Sequence, residues 1–174
     1  MTRFLFDTAV FLYARGREHE YRAPCRELVR LCQHGSLTGE ASVELVQEYA
    51  HVLRRRGLDG AVVRDEALAV GSLCLLHDFG APELRTALGL VATSTGLGIR
   101  DAVHAATALR RGIGVIVSPD RAFDGVGGLD RVDPLDAARL LATGPPAPRE
   151  ADRRPGAHIA PGPRIAPGRS ASDR

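Results

Sequence analysis

The sequence predicts an α/β fold: a three-layer α/β/α sandwich around a central parallel sheet. Three observations carry that expectation. Short apolar runs of strand length alternate with helical stretches from residue 3 to about residue 142. The strongest of these runs, GVIVS at 114–118, is unbroken and rich in branched residues, as in a parallel strand buried on both faces. The chain has 174 residues, enough for one domain with a real core.

The elements follow in order. RFLF, residues 3–6, is short, apolar and aromatic, and reads as the first strand. It stops at Asp7, a lone carboxylate inside the run RFLFDTAVFLYA. Residues 8–14 turn into a short helix, and GREHE at 16–20 is an exposed loop. Residues 23–33 fit a helix, with Pro24 near its start and His34 and Gly35 ending it. SLTGEAS is weakly patterned, and 36–39 is expected to be a short strand. Residues 42–55 are a stronger helix: Ser42 can cap it, Val43, Val46, Ala50 and Leu53 recur at helical spacing, and its basic end suits a C-terminus.

Gly57 and Gly60 break the chain before a further helix at 61–71 and a strand at 72–76. Residues 81–96 begin as a helix and decay into a loop. RDAVHAATALRR, 100–111, is an Ala-rich helix of high propensity that ends at Gly112. After the strand at 114–118 come a short turn or helix at 120–124, a last short strand within 129–135, and a final helical turn or two at 136–142.

Composition bounds the rest. Residues 1–142 are expected to form the folded domain, and 143–174 a tail. The tail holds seven Pro, four Gly and the repeat IAPG at 159–162 and 165–168, with too few large apolar side chains to offset its ordering entropy. It is therefore expected to be disordered, with an electrostatic arm for RNA or a peptide motif for a partner as the alternative. The tail carries six Arg against three acidic residues, which leaves 17 Arg against 18 acidic residues in the folded part. The chain has no Lys, so cationic contacts to phosphate would fall mostly to Arg. Cys25, Cys32 and Cys74 are odd in number and form no CxxC, which predicts reduced thiols. No run is long enough to span a bilayer and no signal peptide is visible, so no membrane role is expected and the expected location is the cytoplasm.

The acidic residues are the functional signal. In a parallel α/β sheet ligands bind beyond the C-terminal strand ends. Asp7 ends the first strand, Asp120 follows the strand 114–118, and Asp101 opens the helix whose N-terminus faces the same rim. Glu44 and Glu48 share one face of the helix 42–55, and Asp124 lies four residues after Asp120. Carboxylates gathered there would repel one another unless a cation or shared protons stood among them. All-oxygen ligation selects a hard ion, Mg²⁺ or Mn²⁺, able to activate water toward a phosphodiester. Each acid also has a plain structural reading: a turn at Asp7, helix or turn caps at Asp101 and Asp120, a solvated helix face at Glu48. His104 could orient a carboxylate or contact phosphate, or, like His51, be a half-buried histidine. No GxSxG and no P-loop is present.

The segments FLFDTAVFLYA, SVELVQEYAHVLRR, GIRDAVHAATALRRGI and IVSPDRAF, in this order and spacing, resemble the PIN domain family and, within it, the VapC-like toxins of type II toxin–antitoxin systems. The resemblance spans about residues 3–133. It implies an acidic pocket of Asp7, Glu48, Asp101 and Asp120 as catalytic residues, with Ser118 as the small hydroxyl residue before the last acid. Asp7, Asp101 and Asp120 would bind Mg²⁺ or Mn²⁺. It implies endoribonuclease activity on tRNA, rRNA or mRNA, inhibition by a cognate antitoxin protein, and frequent homodimers. Ala9 departs from the pattern, since Ser or Asn is frequent there. Arg15, Arg100 and Arg121 are candidates for backbone phosphate contacts. The alternatives are a non-catalytic RNA- or partner-binding protein of the same fold, and a DNA-directed nuclease.

Overall fold

The computed structural model describes residues 3–142. Its sheet has five parallel strands: β1 (Leu5–Phe6), β2 (Gly39–Ser42), β3 (Cys74–His77), β4 (Val115–Val117) and β5 (Asp130–Val132), in the order β3-β2-β1-β4-β5. Around it lie α1 (Thr8–Arg15), α2 (Arg22–Gln33), α3 (Val43–Arg55), α4 (Gly60–Ser72), α5 (Ala81–Thr93), α6 (Ile99–Arg110) and α7 (Pro134–Ala142). A 3-10 turn, Arg121–Gly125, follows β4. Among the described residues no helix is long and apolar enough to cross a membrane. The domain end and the expected tail, residues 143–174, lie outside the described residues.

Strand alternation produces the three layers. Phe6 and Val117 point to one face, where they pack with residues of α1, α2, α3, α4 and α7. Leu5 and Ile116 point to the other, into a core built from α5, α6 and the loop around Phe123 and Leu129. Both cores are fully closed at the sheet: Leu5 and Ile116 are 0% exposed and Phe6 is 1% exposed. The middle strand is β1 rather than β4, which is its neighbour; both are interior, as the branched composition of 114–118 requires.

The strand order positions the site. From β1 the chain adds β2 and then β3 on one side, and β4 and β5 on the other. The direction reverses between β1 and β4, where neighbouring crossovers part and leave a crevice beyond the C-terminal strand ends.

Two expectations need correction. The strand expected at 36–39 is β2 at 39–42. Residues 36 and 37 are used to end α2: Gly35 has φ +67°, and the N–H groups of Ser36 and Leu37 both donate to Leu31 O. The strand is also disguised by Glu40, a buried carboxylate held by Arg3 at 2.7 Å and His77 at 2.6 Å. The buried face of α3 is Leu45, Tyr49 and Leu53, with Val46 and Ala50 packed beside it; Val43 stays outside the core. That stripe is rotated from the expected one because α3 must cover β2 and also meet α4.

The other elements fall close to expectation. Ser42 caps α3 by accepting from Glu44 N–H at 3.1 Å, and Asp133 caps α7 by accepting from Leu135 N–H at 3.0 Å. The three cysteines are free thiols, and burial pushes Cys25 and Cys74 up to about 12, which leaves them inert.

Candidate active site

Asp7 interrupts an apolar run because it ends one element and begins the next. Its backbone N–H donates to Val117 O at 3.1 Å, closing the ladder between β1 and β4. Its side chain caps α1, accepting from Ala9 N–H at 3.4 Å. The residue is buried, and burial pushes its carboxyl above the usual range.

Ser118 joins Asp7 to the end of β4. Its hydroxyl donates to Asp7 Oδ2 at 2.6 Å, and its oxygen accepts from Asp120 N–H at 2.9 Å. One serine therefore links the first and last of the four acids. Asp120 in turn caps the 3-10 turn by accepting from Ala122 N–H at 2.8 Å.

Glu48 is held from three sides. Thr8 Oγ1 donates to Glu48 Oε2 at 2.8 Å, His104 Nε2 lies 3.4 Å from the same oxygen, and Arg100 donates to Oε1 at 3.2 Å. The His104 hydrogen bond, followed by those of its other partners, pulls this carboxyl down to about 2. Thr8 gives its proton to Glu48, so its lone pairs face His104 Nε2 at 3.3 Å. The consistent assignment places the imidazole proton on Nε2, leaving Nδ1 buried without a partner among the described residues. His104 is 1% exposed, deeper than the expected half-burial, and it orients a carboxylate.

Asp101 stands in the first turn of α6, half-buried. Burial, then the charges of Asp7, Asp120 and Glu48, push its carboxyl up to about 6, opposed by His104. Those causes identify a shared field: four acids from four separate segments act on one another. All four line one cleft of about 370 Å³, together with Thr8, Tyr13 and Tyr21. Among the described residues no group of three or more His, Cys, Asp or Glu side chains is placed, as it stands, to hold a metal ion. Three of the acids are instead drawn onto internal donors: Asp7 onto Ser118, Glu48 onto Thr8 and Arg100, and Asp120 onto a backbone N–H.

The remaining candidates do not line this cleft. Glu44 borders a smaller depression with Gln47 and Arg100, which shares Glu48 and His104 with the site. Asp124 pairs with Arg131 at 2.6 Å, and His51 is exposed rather than half-buried. Arg15 is engaged by Glu66 at 2.5 Å, Arg100 by Glu48, and Arg121 is exposed beside Asp120. Sequence reasoning passes over Thr8, Tyr13 and Tyr21. Thr8 has a signal, a hydroxyl directly after Asp7 in an apolar run; Tyr21 has none. Ala9 carries no hydroxyl; the hydroxyls that bond the acids are those of Thr8, on Glu48, and Ser118, on Asp7.

Comparison with known proteins gives a consistent result. The model of a family described as PIN domain matches residues 4–129. Ribonuclease VapC7 of Mycobacterium tuberculosis is 33% identical over 144 residues, covering 79% of this chain and 95% of that protein. Ribonuclease VapC23 of the same organism is 36% identical over 111 residues, covering 62% of this chain and 84% of that protein. Among solved structures, VapBC2 from Rickettsia felis bound to a promoter DNA fragment superposes with a TM-score of 0.56 at 15% identity, covering 76% of this chain and 98% of that one. A toxin–antitoxin complex from Klebsiella pneumoniae superposes with a TM-score of 0.55 at 14% identity and the same coverage. At such identities the two superpositions speak to the fold.

Proposed function

This chain belongs to the PIN domain family, and we propose that it is a metal-dependent endoribonuclease, the toxin of a type II toxin–antitoxin pair. One observation carries the reading: Asp7, Glu48, Asp101 and Asp120 line a single cleft, and Asp101 is pushed up to about 6 by burial and by the charges of the other three. A cleft of mutually repelling carboxylates is short of positive charge. The donors are hard oxygens, which suit Mg²⁺ or Mn²⁺, and the carboxylates would turn from their internal donors to take the ion. Asp7, Asp101 and Asp120 would hold the ion. Bound there, it would supply a positive charge against a phosphoryl oxygen and lower the pKa of water.

The chain's own groups then divide the work. Ser118 fixes Asp7 relative to Asp120. Glu48, clamped by Thr8, His104 and Arg100, keeps its charge and its direction. A carboxylate held at about 2 is a poor base, so Glu48 orients water rather than taking its proton. Attack of the water oxygen on phosphorus forms the new P–O bond and breaks the P–O3′ bond; one water proton ends on the departing O3′ and the other passes to solvent, leaving a 5′-phosphate and a 3′-hydroxyl.

The substrate class is RNA, and the partner is a cognate antitoxin, supported by the toxin–antitoxin complexes that share the fold. Self-association is supported by exposed Leu84, Leu88 and Val91, which recur at helical spacing along α5.

The test is incubation of the purified chain with total RNA in Mn²⁺ or EDTA, followed by end mapping. Discrete cuts with 5′-phosphate ends are expected with metal alone, and none with Asp7→Asn. Intact RNA under every condition, with clean binding, would leave the non-catalytic RNA-binding reading standing instead.

A further inference from the structure

We infer that Tyr13, His19 and Tyr21 form a stacking platform that receives one unpaired nucleobase of the RNA strand beside the acid cleft. The inference deepens the nuclease reading and rests on it. The three rings gather in one cluster: Tyr13 and His19 centroids lie 4.7 Å apart, Tyr13 and Tyr21 5.3 Å, and His19 and Tyr21 5.6 Å with their planes only 18° apart. The chain has three Tyr and no Trp, so two of its three Tyr are spent here.

The cluster lies at the edge of the core, against which Tyr13 and Tyr21 pack. His19 is exposed, and both tyrosines are half-buried. It is nevertheless fixed. Tyr21 O–H donates to Asp133 Oδ2 at 3.0 Å, and Tyr21 N–H donates to His19 Nδ1 at 3.3 Å. Tyr13 rides on α1, the helix that Asp7 caps, six residues further on and so ~9 Å along its axis.

Its placement gives the ligand class. Tyr13 and Tyr21 line the acid cleft. Tyr13 and His19 also line an adjoining cavity of about 900 Å³ bordered by Arg15, Arg17 and Arg56. Arg15 is paired with Glu66, whereas the Arg17 and Arg56 side chains make no hydrogen bond or ion pair among the described residues. Acids for the reacting phosphate, aromatic faces next to them, and free guanidinium groups beyond form the sequence of surfaces a single strand needs. Unstacked bases bind on aromatic side chains while Arg follows the backbone. The three rings act as positioning residues: they set which phosphate enters the acid cleft.

The experiment uses the full chain carrying Asp101→Asn, to hold RNA uncut, and short single-stranded oligoribonucleotides with 2-aminopurine walked through each position. One position is expected to lose most of its fluorescence on binding. That quenching should vanish in His19→Ala and Tyr13→Leu and return in His19→Phe, with RNA affinity about 10-fold weaker for His19→Ala. Because His19 is exposed, its variants keep the fold even where Tyr13→Leu does not. Arg17→Ala with Arg56→Ala should flatten the salt dependence of log K by about 0.7 for each phosphate that is no longer neutralised. RNA that binds with no position quenched, or quenching that survives His19→Ala, overturns the platform and leaves the nuclease reading intact. Absence of both RNA binding and cleavage in the unsubstituted chain overturns the two together, and a cluster that captures only an acidic peptide overturns the platform.

Discussion

Replacing Asp101 with Asn should make the metal-free protein more stable at neutral pH while removing its proposed activity. Asp101 has its carboxyl raised from the ordinary 3.8 to about 6. At 1.36 kcal/mol for each tenfold change in proton affinity, the ionised group costs the fold about 3 kcal/mol. Half-burial allows some solvent screening, so about 1–3 kcal/mol is the expected range. The sign follows from linkage. The folded state holds this proton more tightly than the unfolded state, so the contribution to stability is best below about pH 4 and falls as pH rises to about 6. Asparagine keeps the shape and removes the charge. Urea melts from pH 4 to pH 8 in EDTA should show that fall in the unsubstituted chain and a flatter profile in Asp101→Asn, which should melt about 2–12 °C higher at pH 7.5. Adding Mn²⁺ should stabilise the unsubstituted chain and do much less for the variant. An Asn variant that is less stable than its parent at pH 7.5 in EDTA, with the same pH profile, would refute the idea that the four acids share one field.

Three further outcomes follow from the same geometry. Glu48 is pulled down from 4.5 to about 2, so its stabilisation is present above about pH 4.5 and lost as pH falls toward 2; Glu48→Gln should cost about 2–3 kcal/mol at pH 7 and little at pH 2.5, read by urea unfolding at both. Ser118→Ala removes the donor to Asp7 and the acceptor for Asp120 N–H, and should cost about 1.5–3 kcal/mol in chemical denaturation together with most of the cleavage rate. Gly39→Ala would drive a Cβ into the Phe6 ring, and Phe6 is locked in the core; a loss of about 1–3 kcal/mol is expected, whereas Gly114→Ala, with nothing within 4 Å of the added carbon, should be close to neutral.

Particular residues show how far the sequence can be read. Ser42 and Gly35 announce a helix start and a helix end, and both stand there with the geometry their chemistry implies. Asp7, Asp101 and Asp120 follow from one rule, that ligands gather beyond strand ends in a parallel sheet, and they line one cleft. Glu48 needs more. Its helical spacing alone suits a solvated face, and the family resemblance is what singles it out from Glu44. Thr8 and the buried face of His104 stay hidden because each is defined by partners about 40 to about 100 residues away.

The strand at 39–42 is misplaced by sequence reasoning for a related reason. Its signal is a buried Glu40 whose charge is answered by Arg3 and His77, neither of them near it in the chain. Caps, turns, helical periodicity and branched strands are short-range properties, governed by sterics and hydrogen bonds within a few residues, so the chain alone determined its α/β class and most of its elements. The order β3-β2-β1-β4-β5, the rotation of α3 about its axis, and the clamp on Glu48 depend on which distant surfaces bury each other. Those came only with tertiary packing, because burial energy is collected between segments that no local rule connects.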